Sequence, residues 1–190
     1  MKFVSRLTIA IVCLQVLLIF FSWIADAYGL NVQSLLSAAG IRWTLSSMVP
    51  LIATPYFIWL MLVALAFGIF REAGFTLKRS GYRNKLAWRV VFTIAILFVV
   101  CLILLGFVPH AVLLSVTGEL FPSPFIVSLV PLCSMFVIVT SVAYGYITGG
   151  FMGLSSIVEA LCNGIKSFAP AILLYLLIAE LVCSLQYVFL

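Results

Sequence analysis

Charge is what this sequence has least of. Lysine, arginine, aspartate and glutamate together make up 8% of its 190 residues, and only five residues are acidic. A water-soluble domain of this length has no means of covering its surface with so few ionic groups. Histidine is nearly absent as well. The single one, His110, has no second imidazole to complete a metal site and is read as a loop residue. The five cysteines, Cys13, Cys101, Cys133, Cys162 and Cys183, form no CxxC and have no neighbouring histidine. They are read as small buried hydrophobes. No Ser/His/Asp set, phosphate-binding glycine loop or metal-ligand spacing occurs, so neither enzyme chemistry nor a metal or cofactor is expected. Aromatic residues do not interleave with the bases, which argues against nucleic acid as a partner.

What the sequence does have is long apolar runs. Hydrophobic residues make up 66% of it, and the mean hydropathy is +1.35. Five runs, roughly 5–25, 51–71, 87–108, 125–148 and 168–189, each approach the ~20 residues needed to cross ~30 Å of hydrocarbon. In lipid the backbone must satisfy its own hydrogen bonds, so these runs must be helices. The expected fold is an all-α integral membrane protein, a single helical domain over 1–190. It has about five transmembrane helices and one or two amphipathic connecting helices. The N-terminal "MKFVSRLTIAIVCLQVLLIFFSWIADA" begins like a signal peptide, but its apolar stretch is long enough to be a retained span. "NVQSLLSAAGIRWTLSSM" (31–48) reads as one connector, with Gly40 as a break. "GFMGLSSIVEALCNGIKSF" (150–168) reads as another: Ser155, Glu159, Asn163 and Lys166 share one face, and Leu154, Ile157, Val158, Leu161 and Ile165 cover the other. Both are read as interfacial segments.

The basic residues give an orientation. Six of the ten, Arg71, Lys78, Arg79, Arg83, Lys85 and Arg89, lie in the link between the second and third runs. Lys2 and Arg6 stand at the start of the first run, the link after that run holds only Arg42, and the link after the third holds none. The positive-inside rule then puts the N-terminus and the 71–89 link in the cytosol, and five crossings put the C-terminus outside. The expected partner of that basic link is the bilayer, at about 1 kcal/mol per charge near anionic headgroups.

One acidic residue interrupts an apolar run: Glu180, in "LLIAELVCSL" (176–185). A charge at the bilayer centre costs about 2.5–3.5 kcal/mol on insertion scales, so Glu180 needs a partner or a wet cavity. It is read either as a proton- or substrate-linked carboxylate or as an acid bonded across helices to Tyr144, Tyr175 or a serine. Tyr144, Gln186, Pro131 and Ser134 join it as pathway candidates. Pro131 lies deep in a span, where it either kinks the helix or, with Ser134 in "PLCS", offers carbonyls to a ligand. Gln15 adds interhelical bonding capacity. Gly145 and Gly149 in "YGYITGG" form a small-xxx-small pair that allows close helix packing, and are read as packing and a helix exit. "TGELFPSPF" (117–125) reads as an outer turn with Glu119 exposed.

Several of these motifs, in order, resemble the aminobenzoyl-glutamate transporter (AbgT) family. The resemblance runs through "GIRWTLSSMV" (40–49), "AFGIFREAGF" (66–75), "LAWRVVF" (86–92), "TGELFPSPF" (117–125), "SLVP" (128–131), "VAYGYITGG" (142–150) and "KSFAPAILLYLLIAELVCSL" (166–185). In the last of these, "IAEL" stands where the family usually carries "AAQF", so Glu180 occupies a glutamine position. Pro50 stands where an asparagine is expected, and Arg71 where a glutamate is. Two re-entrant hairpins of the family have no counterpart between Gly74 and Leu86 or after Leu190, so the chain is expected to be a shortened relative. The resemblance implies a bacterial cytoplasmic (inner) membrane protein and a homodimer that transports a small anionic amide or dipeptide-like solute. A non-transporting scaffold, or a partner subunit of a larger transporter, is the alternative.

Overall fold

A computed structural model describes residues 2–30, 32–75, 81–107 and 124–189. His110, Glu119, Lys78, Arg79 and most of "TGELFPSPF" lie outside the described residues. Among the described residues there are six helices, in order α1 Lys2–Ala27, α2 Ala38–Ile52, α3 Pro55–Ala73, α4 Tyr82–Phe107, α5 Pro124–Thr148 and α6 Leu154–Phe189. Among the described residues there is no strand. All but α2 are long and apolar enough to cross a bilayer. The chain is an all-α membrane protein, as its composition requires.

The helix ends follow local rules. After α1, Gly29 takes φ 72°, its N–H reaches the Asp26 carbonyl and the Leu30 N–H reaches that of Ala25. After α5, Gly149 takes φ 80°, with its N–H on Tyr146 O and that of Gly150 on Gly145 O. Both are Schellman endings, in which a glycine adopts the left-handed conformation and captures otherwise orphaned carbonyls. Ser37 caps α2, its Oγ accepting from the Gly40 N–H at 3.0 Å.

Four expectations are corrected. Gly40 does not break the first connector; it lies inside the first turn of α2, buried, where a Cβ would come within 2.5 Å of the Ser34 carbonyl oxygen. Helix α2 continues through Pro50 and ends at Ile52, so the following span starts at Pro55 and not near 51. The second connector is not a separate element either. It is continuous with the last span in the 36-residue α6, which passes through Pro170. A proline removes one hydrogen bond, and the apolar sequence on both sides holds the remaining ladder. At 1.5 Å per residue α6 is about 54 Å long, so it tilts or carries its first turns beyond ~30 Å of hydrocarbon. The fourth correction concerns the cysteines: Cys13, Cys101, Cys133 and Cys162 are exposed and only Cys183 is half-buried. Lipid tails are as apolar as a protein core, so a small hydrophobe in a span need not face inward.

The contacts group into two compact units, whose boundaries fall inside α3 and α6: Met1–Ile58 with Ala169–Leu190, and Trp59–Phe168. In the first unit, Gln15 Nε2 donates to Ser184 Oγ at 2.8 Å, and further along the Gln33 N–H donates to the Val188 carbonyl at 3.3 Å. These two anchors make α1 and the end of α6 run in the same direction. Ser22 Oγ accepts from the Leu35 N–H at 3.2 Å and ties the turn after α1 back onto the helix. In the second unit, Ile69, Ala73, Ala87, Tyr144, Phe151 and Ala160 form the buried cluster. There α3 and α6 cross at Gly68 and Gly164, where a Cβ on either would collide with the other's backbone.

Candidate functional site

In the first unit, polar side chains recur along α6 inside an otherwise apolar sequence. Tyr175 comes first, its hydroxyl 2.6 Å from Thr54 Oγ1 and its ring 5.8 Å from that of Phe57. Glu180 follows, half-buried. Among the described residues no hydrogen bond reaches its carboxylate. Ser184 lies one helical turn beyond Glu180 on the same face and is buried to 1% exposure. Its hydroxyl holds the Gln15 amide nitrogen, while Gln15 Oε1 is buried without a partner. Gln15 sits near the middle of the Val4–Ala27 span, so this amide–hydroxyl pair lies deep in the apolar layer. At the far end of α6, Gln186 and Tyr187 line a cavity of ≈ 380 Å³ with Gln33 and Trp43, and the Trp43 and Tyr187 rings stand 4.7 Å apart.

The second unit holds the other candidates. The Tyr144 hydroxyl donates to Asn84 Oδ1 at 2.7 Å, and its ring stacks on Phe75 at 4.3 Å with Trp88 edge-on at 6.0 Å. Tyr144 and Tyr175, each read as a bonding partner for Glu180, thus both have a hydroxyl engaged with another residue. Ser134 is buried and lines an open, apolar groove of ≈ 490 Å³ between α3 and α5, with Val63, Phe67, Phe70 and Val137 among its walls. Pro131 lies half-buried one turn away within α5. Such walls suit an alkyl chain or a helix side, not an ionic solute.

The basic residues remain on the surface. Arg71, Arg83, Lys85 and Arg89 are all exposed. Arg83 Nη1 stands 3.9 Å from where a Cβ on Gly149 would be, beside the C-terminus of α5, where a cation complements the helix dipole. The polar face expected over 155–166 is partly engaged: Asn163 Nδ2 donates to Glu72 Oε1 at 3.4 Å and Lys166 Nζ to Asn163 Oδ1 at 3.5 Å.

In "YGYITGG", Gly145 and Gly149 divide the work between packing and a helix exit. Gly145 is covered by the Phe151 ring, and Gly149 ends α5. The close helix crossing is made by Ala64 and Gly68 against Ala160 and Gly164, two pairs with the same four-residue spacing. Spacing alone does not distinguish this crossing pair from Gly145 and Gly149. Asn84 and Ser184 were also missed; Ser184 is a lone hydroxyl in an apolar run, whereas Asn84 lies between Arg83 and Lys85 and carries no such signal.

Residues 78–189, more than half of the chain, match the AbgT transporter family. That stretch includes Tyr144, Glu180 and Gln186, whereas Gln15 and the similar segments 40–49 and 66–75 lie outside it. Neither the curated proteins nor the solved structures give a match.

Proposed function

The chain belongs to the AbgT transporter family, and from this premise we propose that it moves a small anionic amide or dipeptide-like solute across the bacterial cytoplasmic membrane as a homodimer. The observation that carries the proposal is Glu180: an acidic side chain inside a helix long and apolar enough to cross a membrane, half-buried, one turn from the part-buried Gln15–Ser184 pair. Ionisable residues at such depth concentrate along substrate and proton paths. The proposed orientation has the N-terminus and the basic face in the cytosol and the C-terminus outside. It is supported by the exposed Arg71, Arg83, Lys85 and Arg89 and by the common direction of α1 and the end of α6.

The test is uptake of radiolabelled aminobenzoyl-glutamate into proteoliposomes. Wild type is expected to accumulate the solute and Glu180→Gln to fall to the level of empty vesicles. Full uptake by the variant removes Glu180 from the mechanism. A second reading, a non-transporting scaffold or partner subunit of a larger transporter, draws on one fact: Glu180 lines none of the three described cavities. It expects a folded, membrane-embedded wild type with no uptake at all.

A further inference from the structure

The Gln15 side chain is half satisfied. Its Nε2 donates to Ser184 Oγ at 2.8 Å, while its Oε1 is buried with no partner. A buried amide oxygen in an apolar layer calls for a donor. Ser184 already serves the other end of the amide, and the residue one turn before it on the same face is Glu180, the only acidic residue between 169 and 189. A protonated carboxyl supplies the O–H donor that Oε1 lacks; an ionised one does not.

We propose that Gln15, Ser184 and Glu180 form one proton-binding site, in which the protonated Glu180 carboxyl donates to Gln15 Oε1, directly or through one water, while Gln15 Nε2 holds Ser184. The amide is suited to this because it carries both a donor and an acceptor. Turned by half a rotation, it presents Nε2 to the ionised carboxylate and Oε1 to the Ser184 hydroxyl, so each protonation state has a complete set of hydrogen bonds. Leucine or methionine at position 15 serves neither state. The other charged side chains described on α1 and α2 are distant or exposed. Arg6 and Asp26 lie about 14 and 16 Å along α1 from Gln15 at 1.5 Å per residue, and Arg42 is exposed on α2. Among the described residues of α1 and α2, no fixed ion therefore substitutes for the amide as the carboxyl's partner.

The inference rests on the transport reading for the use of the proton, but the site is tested without uptake. Infrared difference spectra of the protein in lipid vesicles, recorded as the pH is lowered, report the C=O stretch of a protonated carboxyl. The Glu180 band is identified by its loss in Glu180→Gln. It is expected to move to higher frequency in Gln15→Leu and in Gln15→Met, since an acid that no longer donates a hydrogen bond has a stiffer carbonyl. Using both variants guards against one of them failing to fold, which circular dichroism checks. A band unmoved in the folded variants, or no Glu180 band at any pH, overturns the site. Loss of uptake in Glu180→Gln with an unmoved band leaves transport standing and removes the proton site; a moved band with no uptake does the reverse.

Discussion

Tyr144 shows how much of a polar residue's role inside an apolar helix belongs to its ring. Its hydroxyl makes a 2.7 Å bond to Asn84 Oδ1, while its ring is 2% exposed and stacked on Phe75 at 4.3 Å. Hydrogen bonds between membrane helices average about 0.6 kcal/mol and reach ~1.7, because the alternative state in lipid also finds partners. Removing a buried aromatic ring costs about 3–5 kcal/mol. Tyr144→Phe is therefore expected to lower stability by about 0.6 kcal/mol, and Tyr144→Ala by several times as much, in unfolding titrations in mixed micelles. Equal losses would mean that the hydroxyl, not the ring, holds the cluster together. The sequence marks Tyr144 as unusual, a polar group in a span, but not its partner, which lies 60 positions upstream. The same holds for Gln15 and Ser184, joined across 169 positions. Each polar residue was legible alone. The pairings were not, because they depend on which helices meet.

Among the elements, glycine divides into two kinds that spacing cannot tell apart. At Gly68 and Gly164 the obstacle to a side chain is backbone: the carbonyl oxygens of Ala160 and Ala64 and the facing glycine. At Gly145 it is the ring of Phe151, a side chain that can be trimmed. Both Gly68→Ala and Gly145→Ala are expected to lower the thermal midpoint. Phe151→Leu should restore much of the loss in Gly145→Ala, and no side-chain trimming should do so for Gly68→Ala. Rescue of Gly68→Ala by Phe151→Leu would show that the helix crossing is looser than its geometry implies. The five long helices were legible because a bilayer sets their length, and their limits agree within a few residues except for α6. That helix was divided in two at 168, since the polar face over 155–166 resembles a connector and Pro170 a start signal. Whether a proline ends a helix depends on what supports the carbonyl it leaves unpaired, and local sequence does not record that.

For the whole molecule, everything depends on which ends of the helices share a side of the membrane. The structure supplies one relation independent of charge: α1 and the end of α6 point the same way, since Gln15 meets Ser184 and Gln33 meets Val188. If α1 and the end of α6 are parallel spans, an odd number of crossings runs from one to the other, which agrees with five long apolar helices among the described residues. Charge then favours one of the two remaining orientations, and the proposed one has the lysine- and arginine-rich link between α3 and α4 inside. Exposed positions near the helix ends provide the check. In a cysteine-free background, single cysteines at Tyr28 and Phe189 are expected to react with a membrane-impermeant maleimide applied to intact cells. Cysteines at Tyr82 and Met152, which are 80% and 96% exposed in the chain, should react only after the cells are opened. Labelling of all four from one side would remove the membrane-crossing fold. A full exchange of the two sets would keep the helices and reverse the protein, placing the basic face outside and leaving the Gln15–Ser184–Glu180 site at the same depth, since its position depends on helix contacts and not on charge.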